Sequence, residues 1–351
     1  MNVLSLFDGL SCGQIALTNL GCFPDKYYAS EVDKFAIQQT RHVFPDTIHI
    51  GDVTRVDVSK LDKIDLIIGG SPCQSFSFAG KQAGMATTEN IEVTDLDQYL
   101  DLKIMGFEFT GQSYLFWEYM RILTEVRKYN PDVKFLLENV VMSKKWEAVL
   151  TKAIGVEPVM VNSNLVSAQN RKRLYWTNIA EITQPEDKGI FIRDILEDDV
   201  DEKYYVSDKA FEGMINHARV NAEKGNGFGA CIAPLDGKSN ALCVSPGGRD
   251  RNLIVASRGR TGADGITRQN LEPRTDGKSN CLTTVQKDNL LAVLKLDGEW
   301  TLRRLTPVEC ARLQTVPSWY KWVVSDTQIY RMCGNGWTVR VIEHILKNLF
   351  V

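Results

Sequence analysis

Residues 64–76 read Ile64-Asp-Leu-Ile-Ile-Gly-Gly-Ser-Pro-Cys-Gln-Ser-Phe76, an apolar run followed by glycine, proline and a single cysteine. The apolar run predicts a buried strand, and Cys73 stands where that strand ends. In open α/β sheets, ligands bind in the crevice at the carboxyl ends of the strands, and the fixed φ of Pro72 limits where the thiol can point. The stretch therefore indicates a nucleophile, although taken alone it fits a small buried cysteine beside a turn better.

The composition is that of an ordinary globular protein. The chain has 351 residues, of which 44% are hydrophobic and 24% charged, with a formal net charge of -3. This length suits one large domain and one smaller one. No apolar run approaches the roughly 20 residues that span a membrane, and no signal peptide is legible, so we expect a cytosolic or nuclear protein. The cysteines contain no C-x-x-C pair, which argues against a disulfide framework and a structural zinc site, and we expect no metal.

The first half of the chain alternates short apolar runs with stretches that suit helices. Strands are predicted at residues 3–7, 26–29, 66–68 and 135–137. Apolar spacing predicts a helix over residues 115–126, so the fold class is α/β with a mostly parallel, doubly wound sheet. Between residues 85 and 111 the pattern lapses and acidic residues accumulate. This predicts a long acidic loop or lid, or simply a solvated insertion.

Beyond Ile179 the chain changes character and becomes rich in Gly, Asn, Ser and Arg. Asp236-Gly-Lys-Ser-Asn-Ala-Leu242 recurs as Asp276-Gly-Lys-Ser-Asn-Cys-Leu282. We interpret the two copies as β-hairpin units of a small, mostly β domain with Asp-Gly turns. The arginines between the copies suit phosphate and guanine contacts, with a solvated basic loop as the alternative. They are Arg249, Arg251, Arg258, Arg260, Arg268 and Arg274.

A glycine-containing turn, Asp8 to Gly13, follows the first predicted strand and can bring backbone close to a ligand. Glu31 at the end of the second strand suits the hydroxyls of a ribose, and Asp52 could accept from an adenine amino group. The chain has no Gly-x-x-x-x-Gly-Lys-Ser/Thr loop, so a triphosphate is not expected. These features predict a nucleoside cofactor.

Six motifs in order make the pattern specific, and they resemble those of bacterial and phage DNA cytosine-5 methyltransferases. They are Phe7-Asp-Gly9, Ser71-Pro-Cys-Gln74, Leu137-Glu-Asn-Val140, Gln169-Asn-Arg-Lys-Arg173, Arg304-Leu-Thr-Pro-Val-Glu309 through Gln314, and Gly334-Asn335. The resemblance covers residues 1–179 and 303–351. It implies a Rossmann-like S-adenosylmethionine-dependent core at 1–185, a mostly β target-recognition domain at 186–325, and a segment at 326–351 that returns to the core.

The resemblance also implies a reaction. Cys73 would add to carbon 6 of a flipped-out cytosine, because carbon 5 is a poor nucleophile until a thiolate has added. Glu138 would act as an acid at nitrogen 3, and Arg173, assisted by Arg171, would hold the carbonyl oxygen of the base. The methyl group would come from S-adenosyl-L-methionine, leaving S-adenosyl-L-homocysteine. Further catalytic residues expected nearby are Pro72, Asn139 and Gln169.

Cofactor and DNA contacts carry over by position. The expected cofactor residues are Phe7, Asp8, Gly9, Leu10, Ser11, Gly13, Glu31, Val32, Asp52, Val53, Asn335 and Trp337. The expected DNA-binding residues are Gln74, Ser75, Arg249, Arg251, Arg258, Arg260 and Arg268. Two positions depart from the common family pattern: Ser11 stands at a usual glycine and Trp337 at a usual valine. Both variants resemble the eukaryotic de novo branch of the family.

Double-stranded DNA is the expected partner of a monomer in a bacterial or phage-infected cell, with a cognate restriction endonuclease as a further candidate partner and no membrane. One alternative is a transfer-RNA cytosine methyltransferase, because a branch with the same motifs acts on RNA. Another is a catalytically silent DNA-binding homologue, which the presence of Cys73, Glu138, Arg171 and Arg173 disfavours. A nicotinamide dehydrogenase would leave these four residues unexplained.

Overall fold

The central feature is a seven-stranded sheet. A computed structural model describes residues 1–73, 76, 84–207, 253–261, 267–274, 278–279, 281–282, 290–294 and 300–350. The strands of the sheet are β1 (Asn2–Leu6), β2 (Lys26–Ser30), β3 (Ile48–His49), β4 (Leu66–Gly70), β5 (Lys134–Val140), β6 (Val159–Asn162) and β7 (Lys172–Thr177). Their order is β3-β2-β1-β4-β5-β7-β6, and only β7 runs antiparallel to its neighbours. The predicted mostly parallel sheet is confirmed.

Helices cover both faces of the sheet, as a parallel sheet requires. They are α1 (Cys12–Asn19), α2 (Lys34–Val43), α3 (Leu96–Ile104), α4 (Phe116–Tyr129), α5 (Lys144–Ile154), α6 (Pro307–Leu313), α7 (Asp326–Asn335) and α8 (Val339–Leu346). Alternate residues of one strand enter opposite cores: Leu66 and Ile68 pack on the side of α1 and α8, and Ile67 packs on the side of α4. The fully apolar strand predicted at 66–68 is explained by this two-sided burial.

The prediction of a loop between residues 85 and 111 is wrong in part, because the segment contains α3. Asp95 caps the helix by accepting a hydrogen bond from the Gln98 amide at 2.8 Å. Tyr99 and Leu102 are buried, and the Tyr99 hydroxyl donates to Glu118 on α4 at 2.5 Å. A helix with only one short apolar face shows a weak periodicity, and the surrounding acidic residues concealed it.

A small antiparallel sheet follows the large one. It contains β8 (Leu253–Thr261), β9 (Thr267–Arg274), β10 (Leu290–Leu294) and β11 (Trp300–Arg304) in the order β11-β10-β8-β9. The mostly β character predicted for this region is confirmed. The first copy of the internal repeat lies outside the described residues, and of the second copy the structure describes Lys278, Ser279, Cys281 and Leu282.

The Arg304-to-Glu309 motif starts α6. Thr306 and Glu309 form a capping box, in which the Thr306 oxygen accepts from the Glu309 amide and a Glu309 oxygen accepts from the Thr306 amide at 2.8 Å. Arg303 pairs with both carboxylate oxygens of Glu309, at 2.8 and 2.7 Å, and both side chains are buried. The motif therefore fixes the transition from the small sheet back to the helices of the core.

None of the helices that the structure describes has the length and apolar character that a membrane crossing requires.

Candidate active site

The candidate nucleophile lies directly beyond β4, where the sequence predicts it. Glu138 on β5 stands opposite Gly70 in the parallel register, so both strand ends open on the same edge of the sheet. The Asn139 side chain donates to the Ser71 carbonyl at 3.3 Å and to the Ser71 hydroxyl at 3.0 Å. Ser71 leads through Pro72 into Cys73, so Asn139 ties the cysteine-bearing turn to β5.

Glu138 is the carboxylate of this site. It is 7% exposed, and its two oxygens face different side chains, although buried Oε1 accepts no hydrogen bond among the described residues. Arg173 Nε lies 2.8 Å from Oε1, and Trp337 Nε1 donates to Oε2 at 3.1 Å. Arg173 belongs to β7, which pairs with β5 in antiparallel fashion and so carries the guanidinium to the acid. The structure thus brings Glu138, Arg173 and Trp337 together.

Burial raises the pKa of the Cys73 thiol, and the nearby Glu138 carboxylate adds to the increase, whereas Arg173 and Arg171 lower it. Because the net direction is upward, the free enzyme holds Cys73 mainly as a neutral thiol near pH 7. A bound substrate that contacts Glu138 and excludes water would change each of these influences.

Arg171 is a buried clamp. It is 3% exposed, and its guanidinium donates to the carbonyls of Leu282 at 3.3 Å, Gly334 at 3.4 Å and Gly336 at 2.9 Å. Its Nη1 also lies 3.0 Å from the sulfur of Cys281. Arg171 therefore joins residues 281–282 and residues 334–336 to its own segment beside the site.

Replacing Arg171 with methionine is expected to destabilise the protein by about 2–5 kcal/mol, because buried carbonyls lose a charged donor. Urea unfolding measures the effect. Lys172→Ala is the matched control, since its side chain is exposed on the same strand and a change within about 0.5 kcal/mol is expected. Equal stability of the Arg171 variant and the control would contradict the clamp.

Gln169 is fully buried and its amide is satisfied by other segments. It donates to the Leu313 carbonyl at 3.1 Å and to Gln314 Oε1 at 3.2 Å, and its Oε1 accepts from the Leu282 amide at 2.8 Å. The sequence places Gln169 near the base by resemblance. In the structure it links Leu282 and the end of α6 to the segment just before β7, which contains Arg171.

Sequence reasoning missed Lys278, Ser279, Cys281 and Leu282, which we call the contact segment. Its Ser279 amide donates to the Ala168 carbonyl at 2.7 Å, and its Ser279 carbonyl accepts from Asn170 at 2.9 Å. The Cys281 sulfur lies 3.0 Å from Arg171 Nη1 and 3.4 Å from Arg173 Nη2. The only sequence signal was in the repeat, where Cys281 replaces the alanine of the first copy.

The turn after β1 is unusual in its backbone. Phe7, Gly9 and Ser11 have φ values of 59, 57 and 62 degrees, and two of these residues carry side chains that seldom adopt such angles. Gly13 permits α1 to lie close to β4, because a Cβ there would stand 2.0 Å from Ile68 Cδ1. Strained backbone of this kind clusters where ligands approach.

Glu31 is held by three backbone amides beside that turn. Its Oε2 accepts from Gly9 at 2.8 Å, and its Oε1 accepts from Val32 at 2.7 Å and from Asp33 at 2.8 Å. The neighbouring Val32 side chain is 70% exposed, whereas Leu10 is buried and its carbonyl accepts from the Tyr320 hydroxyl at 2.9 Å. The predicted carboxylate is therefore fixed in orientation next to an exposed apolar side chain.

Asp8 is a buried carboxyl in the same turn. Its Oδ1 accepts from the hydroxyls of Ser11 at 3.1 Å and Tyr27 at 2.9 Å, while its buried Oδ2 has no hydrogen-bond partner among the described residues. Burial raises the pKa of Asp8 from 3.8 to about 6. An unsatisfied buried acceptor fits a site that awaits a donor from a ligand.

Asp8 predicts a pH dependence of stability. Its folded pKa exceeds its unfolded pKa, so the folded protein binds the proton more tightly, and stability falls as the pH rises from about 4 through about 6. The side chain of the Asp8→Asn variant cannot ionise, so the variant does not lose this stability. Its free energy of unfolding, relative to that of the unmodified protein, should rise by up to about 3 kcal/mol over this pH interval. Urea unfolding at pH 4, 5, 6 and 7 checks this, and a difference that stays constant with pH would contradict it.

The second acidic strand end is held by a network that the sequence did not reveal. Asp52 Oδ1 accepts from the Thr54 amide at 2.8 Å, and Val53 is buried. Arg121 on α4 donates to the carbonyls of Val53 at 3.2 Å and Val56 at 3.1 Å, and its Nε lies 2.7 Å from fully buried Glu118. The i, i+3 spacing of Glu118 and Arg121 was the only available signal.

The remaining predicted residues are on α7, on the small sheet, or outside the described residues. Asn335 ends α7 and is exposed. Gln74, Ser75, Arg249 and Arg251 lie outside the described residues. Arg260 on β8 pairs in register with Arg268 on β9, and Arg258 is two residues from Arg260, so these three positions lie on one face of the hairpin.

The fold and site define an α/β methyltransferase, and comparisons with known proteins agree. Residues 1–101 and 103–351 match the family model described as C-5 cytosine-specific DNA methylase, and the chain belongs to this family of DNA cytosine-5 methyltransferases.

Two bacterial relatives match almost the whole chain. The type II methyltransferase M.HpaII of Haemophilus parainfluenzae is 31% identical over 372 aligned residues, covering 99% of this chain and 88% of the relative. M.NlaX of Neisseria lactamica is 27% identical, covering 99% and 95%. The solved structure of the Entamoeba histolytica methyltransferase EhMeth has the same fold, with a TM-score of 0.64 at 12% identity and coverage of 100% and 98%.

Proposed function

We propose that this methyltransferase adds a methyl group to carbon 5 of a flipped-out cytosine in double-stranded DNA through a transient bond between Cys73 and carbon 6. One observation carries the proposal: the thiol-bearing turn stands at the carboxyl end of β4, tied to β5, which carries the paired Glu138. A stacked base could not reach a thiol in such a crevice, so the target must leave the duplex.

The chain's own groups account for the addition step. Cys73 gives its thiol proton to water and its sulfur forms the bond to carbon 6, while the displaced ring electrons gather towards nitrogen 3, where Glu138 supplies a proton or a strong hydrogen bond. Arg173, paired with Glu138, holds the carboxyl and lies where the carbonyl oxygen of the base can bind. As the methyl group is transferred, nitrogen 3 returns its proton to Glu138. Water then takes the proton from carbon 5, the electrons of that bond re-form the ring double bond, and the carbon–sulfur bond breaks to restore the thiolate.

The residues on the β1 and β2 side fit S-adenosyl-L-methionine, which supplies an electrophilic methyl group when bound and becomes S-adenosyl-L-homocysteine. Glu31 is oriented to accept from ribose hydroxyls, and we propose that Asp8 Oδ2, which no described residue contacts as a donor, accepts from the ammonium group. Asp52, which follows β3, and buried Val53 offer a carboxylate and an apolar side chain for the adenine.

The arrangement of positions on the β8–β9 hairpin supports a DNA-binding role for Arg258, Arg260 and Arg268. Each arginine that contacts a phosphate releases about one counterion. Arg258→Ala is therefore expected to weaken binding to duplex DNA and reduce the slope of log affinity against log salt by about 1. Fluorescence anisotropy at several salt concentrations measures both quantities, and an unchanged slope would place the phosphate contacts elsewhere.

Transfer of labelled methyl from S-adenosylmethionine tests the function directly. Duplex DNA of mixed sequence should acquire label at cytosine carbon 5, and bisulfite sequencing of DNA from expressing cells should reveal one recognised site. Preferential labelling of transfer RNA in the same assay would overturn the proposed substrate. No label in either nucleic acid would overturn the activity.

We also infer that the protein acts as a monomer in the cytoplasm of a bacterial or phage-infected cell. Light scattering in solution tests the oligomeric state. The type II names of the two bacterial relatives support a search for a cognate restriction endonuclease. The decisive property of such a partner is cleavage of the recognised site only when the site is unmethylated.

A further inference from the structure

The indole of Trp337 contacts the proposed acid rather than serving only as a wall of the cofactor site. Its Nε1 donates to Glu138 Oε2 at 3.1 Å. The family pattern has valine here, and valine has no donor, so this hydrogen bond belongs to the variant that this chain carries. Both side chains lie at the edge of the sheet where Cys73 emerges.

The space for this contact comes from Gly70 at the end of β4. A Cβ at Gly70 would stand 2.7 Å from the indole nitrogen and 3.1 Å from Glu138 Oε2. The first distance is shorter than real Cβ contacts allow and the second is tighter than most of them, so an alanine would displace the indole and crowd the carboxylate. The contact between Trp337 and Glu138 therefore requires a glycine at position 70, opposite the acid in the sheet.

The two oxygens of Glu138 are held from two directions. Arg173 Nε faces Oε1 at 2.8 Å, and Trp337 faces Oε2. The turn that carries Trp337 is itself fixed, because Arg171 donates to the Gly336 carbonyl at 2.9 Å and the Cys12 thiol lies 3.4 Å from the Trp337 carbonyl. Cys12 begins α1, which follows the cofactor turn, so the indole connects the cofactor side of the site with the acid.

We propose that Trp337 is a positioning residue, which orients the Glu138 carboxyl towards nitrogen 3 of the target cytosine through its indole N–H. This inference rests on the proposed role of Glu138. A side chain that only lined the cofactor site would affect cofactor affinity, whereas a positioning residue affects the rate of methyl transfer after the cofactor and DNA are bound.

The test compares Trp337→Phe, which keeps an aromatic ring and removes the donor, with Trp176→Phe. Trp176 is the matched control because its indole also makes one hydrogen bond, to Thr151 Oγ at 3.0 Å, within the core on the α5 side. Trp337→Phe should lower the single-turnover rate of methyl transfer by about tenfold or more, the scale of a lost hydrogen bond to a charged group. The dissociation constant for S-adenosylmethionine should stay within about twofold, and the control should keep its rate.

A double-mutant cycle separates a specific action on Glu138 from a general loss of structure. In a Glu138→Gln background, the further change Trp337→Phe should cost little. A loss by the same factor in both backgrounds, or a weakened cofactor affinity with an unchanged rate, would overturn the inference and leave the proposed function intact. A Glu138→Gln variant with an undiminished rate would instead overturn the proposed role of the acid.

Gly70→Ala provides an independent variant, because it leaves both Trp337 and Glu138 in the sequence. It should slow methyl transfer as Trp337→Phe does, and combining the two changes should cost less than the product of their separate effects. Strictly multiplicative losses would show that the close contact of the three residues has no role in the rate.

Discussion

Cys73→Ala is expected to lower methyl transfer by about 10⁴-fold or more, the scale on which removal of a covalent nucleophile acts. Without the sulfur no bond to carbon 6 can form, and carbon 5 stays too weakly nucleophilic to accept the methyl group. Single-turnover transfer of labelled methyl to duplex DNA measures the loss. Transfer at an undiminished rate would refute the covalent mechanism.

Binding of cofactor and DNA is the control for this variant. The Cys73 side chain is half-buried beyond β4, whereas the proposed cofactor residues follow β1 and β2. We expect the Cys73→Ala variant to retain S-adenosylmethionine affinity within about threefold, since no cofactor contact is removed. DNA containing 5-fluorocytosine should trap a stable adduct with the unmodified enzyme, because fluorine cannot leave carbon 5 as a proton does. The variant should form none.

Thiol alkylation cannot replace the substitution. The pKa of the Cys281 thiol lies below its usual value. Burial alone would raise this pKa, but the guanidinium groups of Arg171 and Arg173 lower it by more. The pKa of Cys73 is raised, so a thiol reagent near pH 7 would meet a larger thiolate fraction at Cys281. Inactivation by such a reagent would therefore need peptide mapping before it could be assigned to Cys73.

Glu138→Gln is expected to lower the rate of methyl transfer by about 10²- to 10⁴-fold, the usual contribution of a positioned acid. The amide keeps the shape of the side chain but cannot supply a proton to nitrogen 3 of the cytosine. Formation of the 5-fluorocytosine adduct should slow by a similar factor, because the acid acts during the addition of Cys73. The single-turnover rate and the adduct rate are the two measurements.

The matched control for Glu138 is Glu118→Gln, another buried glutamate with an arginine partner. Glu118 lies on α4 and supports the segment near Asp52, so its loss should affect stability and cofactor affinity more than the rate with both ligands bound. Equal rate losses in the two variants would indicate that Glu138 acts only through the fold.

The sequence was informative where a local pattern coincides with a local structure. The strand before Cys73 was legible because burial on both faces makes it continuously apolar, and the order of strand ends followed from the βαβ rhythm. The helix α3 was not legible, because it buries only Tyr99 and Leu102. Its stability comes from contacts with Glu118, which lies outside the segment.

The same limit explains the functional residues that were missed or interpreted too narrowly. Arg171 lies between carbonyls of residues 282, 334 and 336, more than 100 positions away along the chain. Local spacing carries no record of such contacts. Trp337 was recognised as a departure from the family pattern, but its contact with Glu138 depends on the glycine opposite the acid on a third segment. Contacts between residues so far apart in the chain can be identified only in the folded protein.

The contact segment limits how much of the DNA-specificity region can be exchanged between related enzymes. Lys278 donates to the carbonyls of Asn164 at 3.1 Å and Ser167 at 3.4 Å, and the Leu282 amide donates to the side-chain oxygen of Gln169. These residues follow the β8–β9 hairpin in the chain, but they contact Arg171, Arg173 and Gln169. A hybrid enzyme that takes its DNA specificity from a relative should therefore keep residues 278–282 of this chain, so the exchanged segment should end before Lys278. If the exchanged segment extends through Leu282, we expect an inactive hybrid even when both parent enzymes are active.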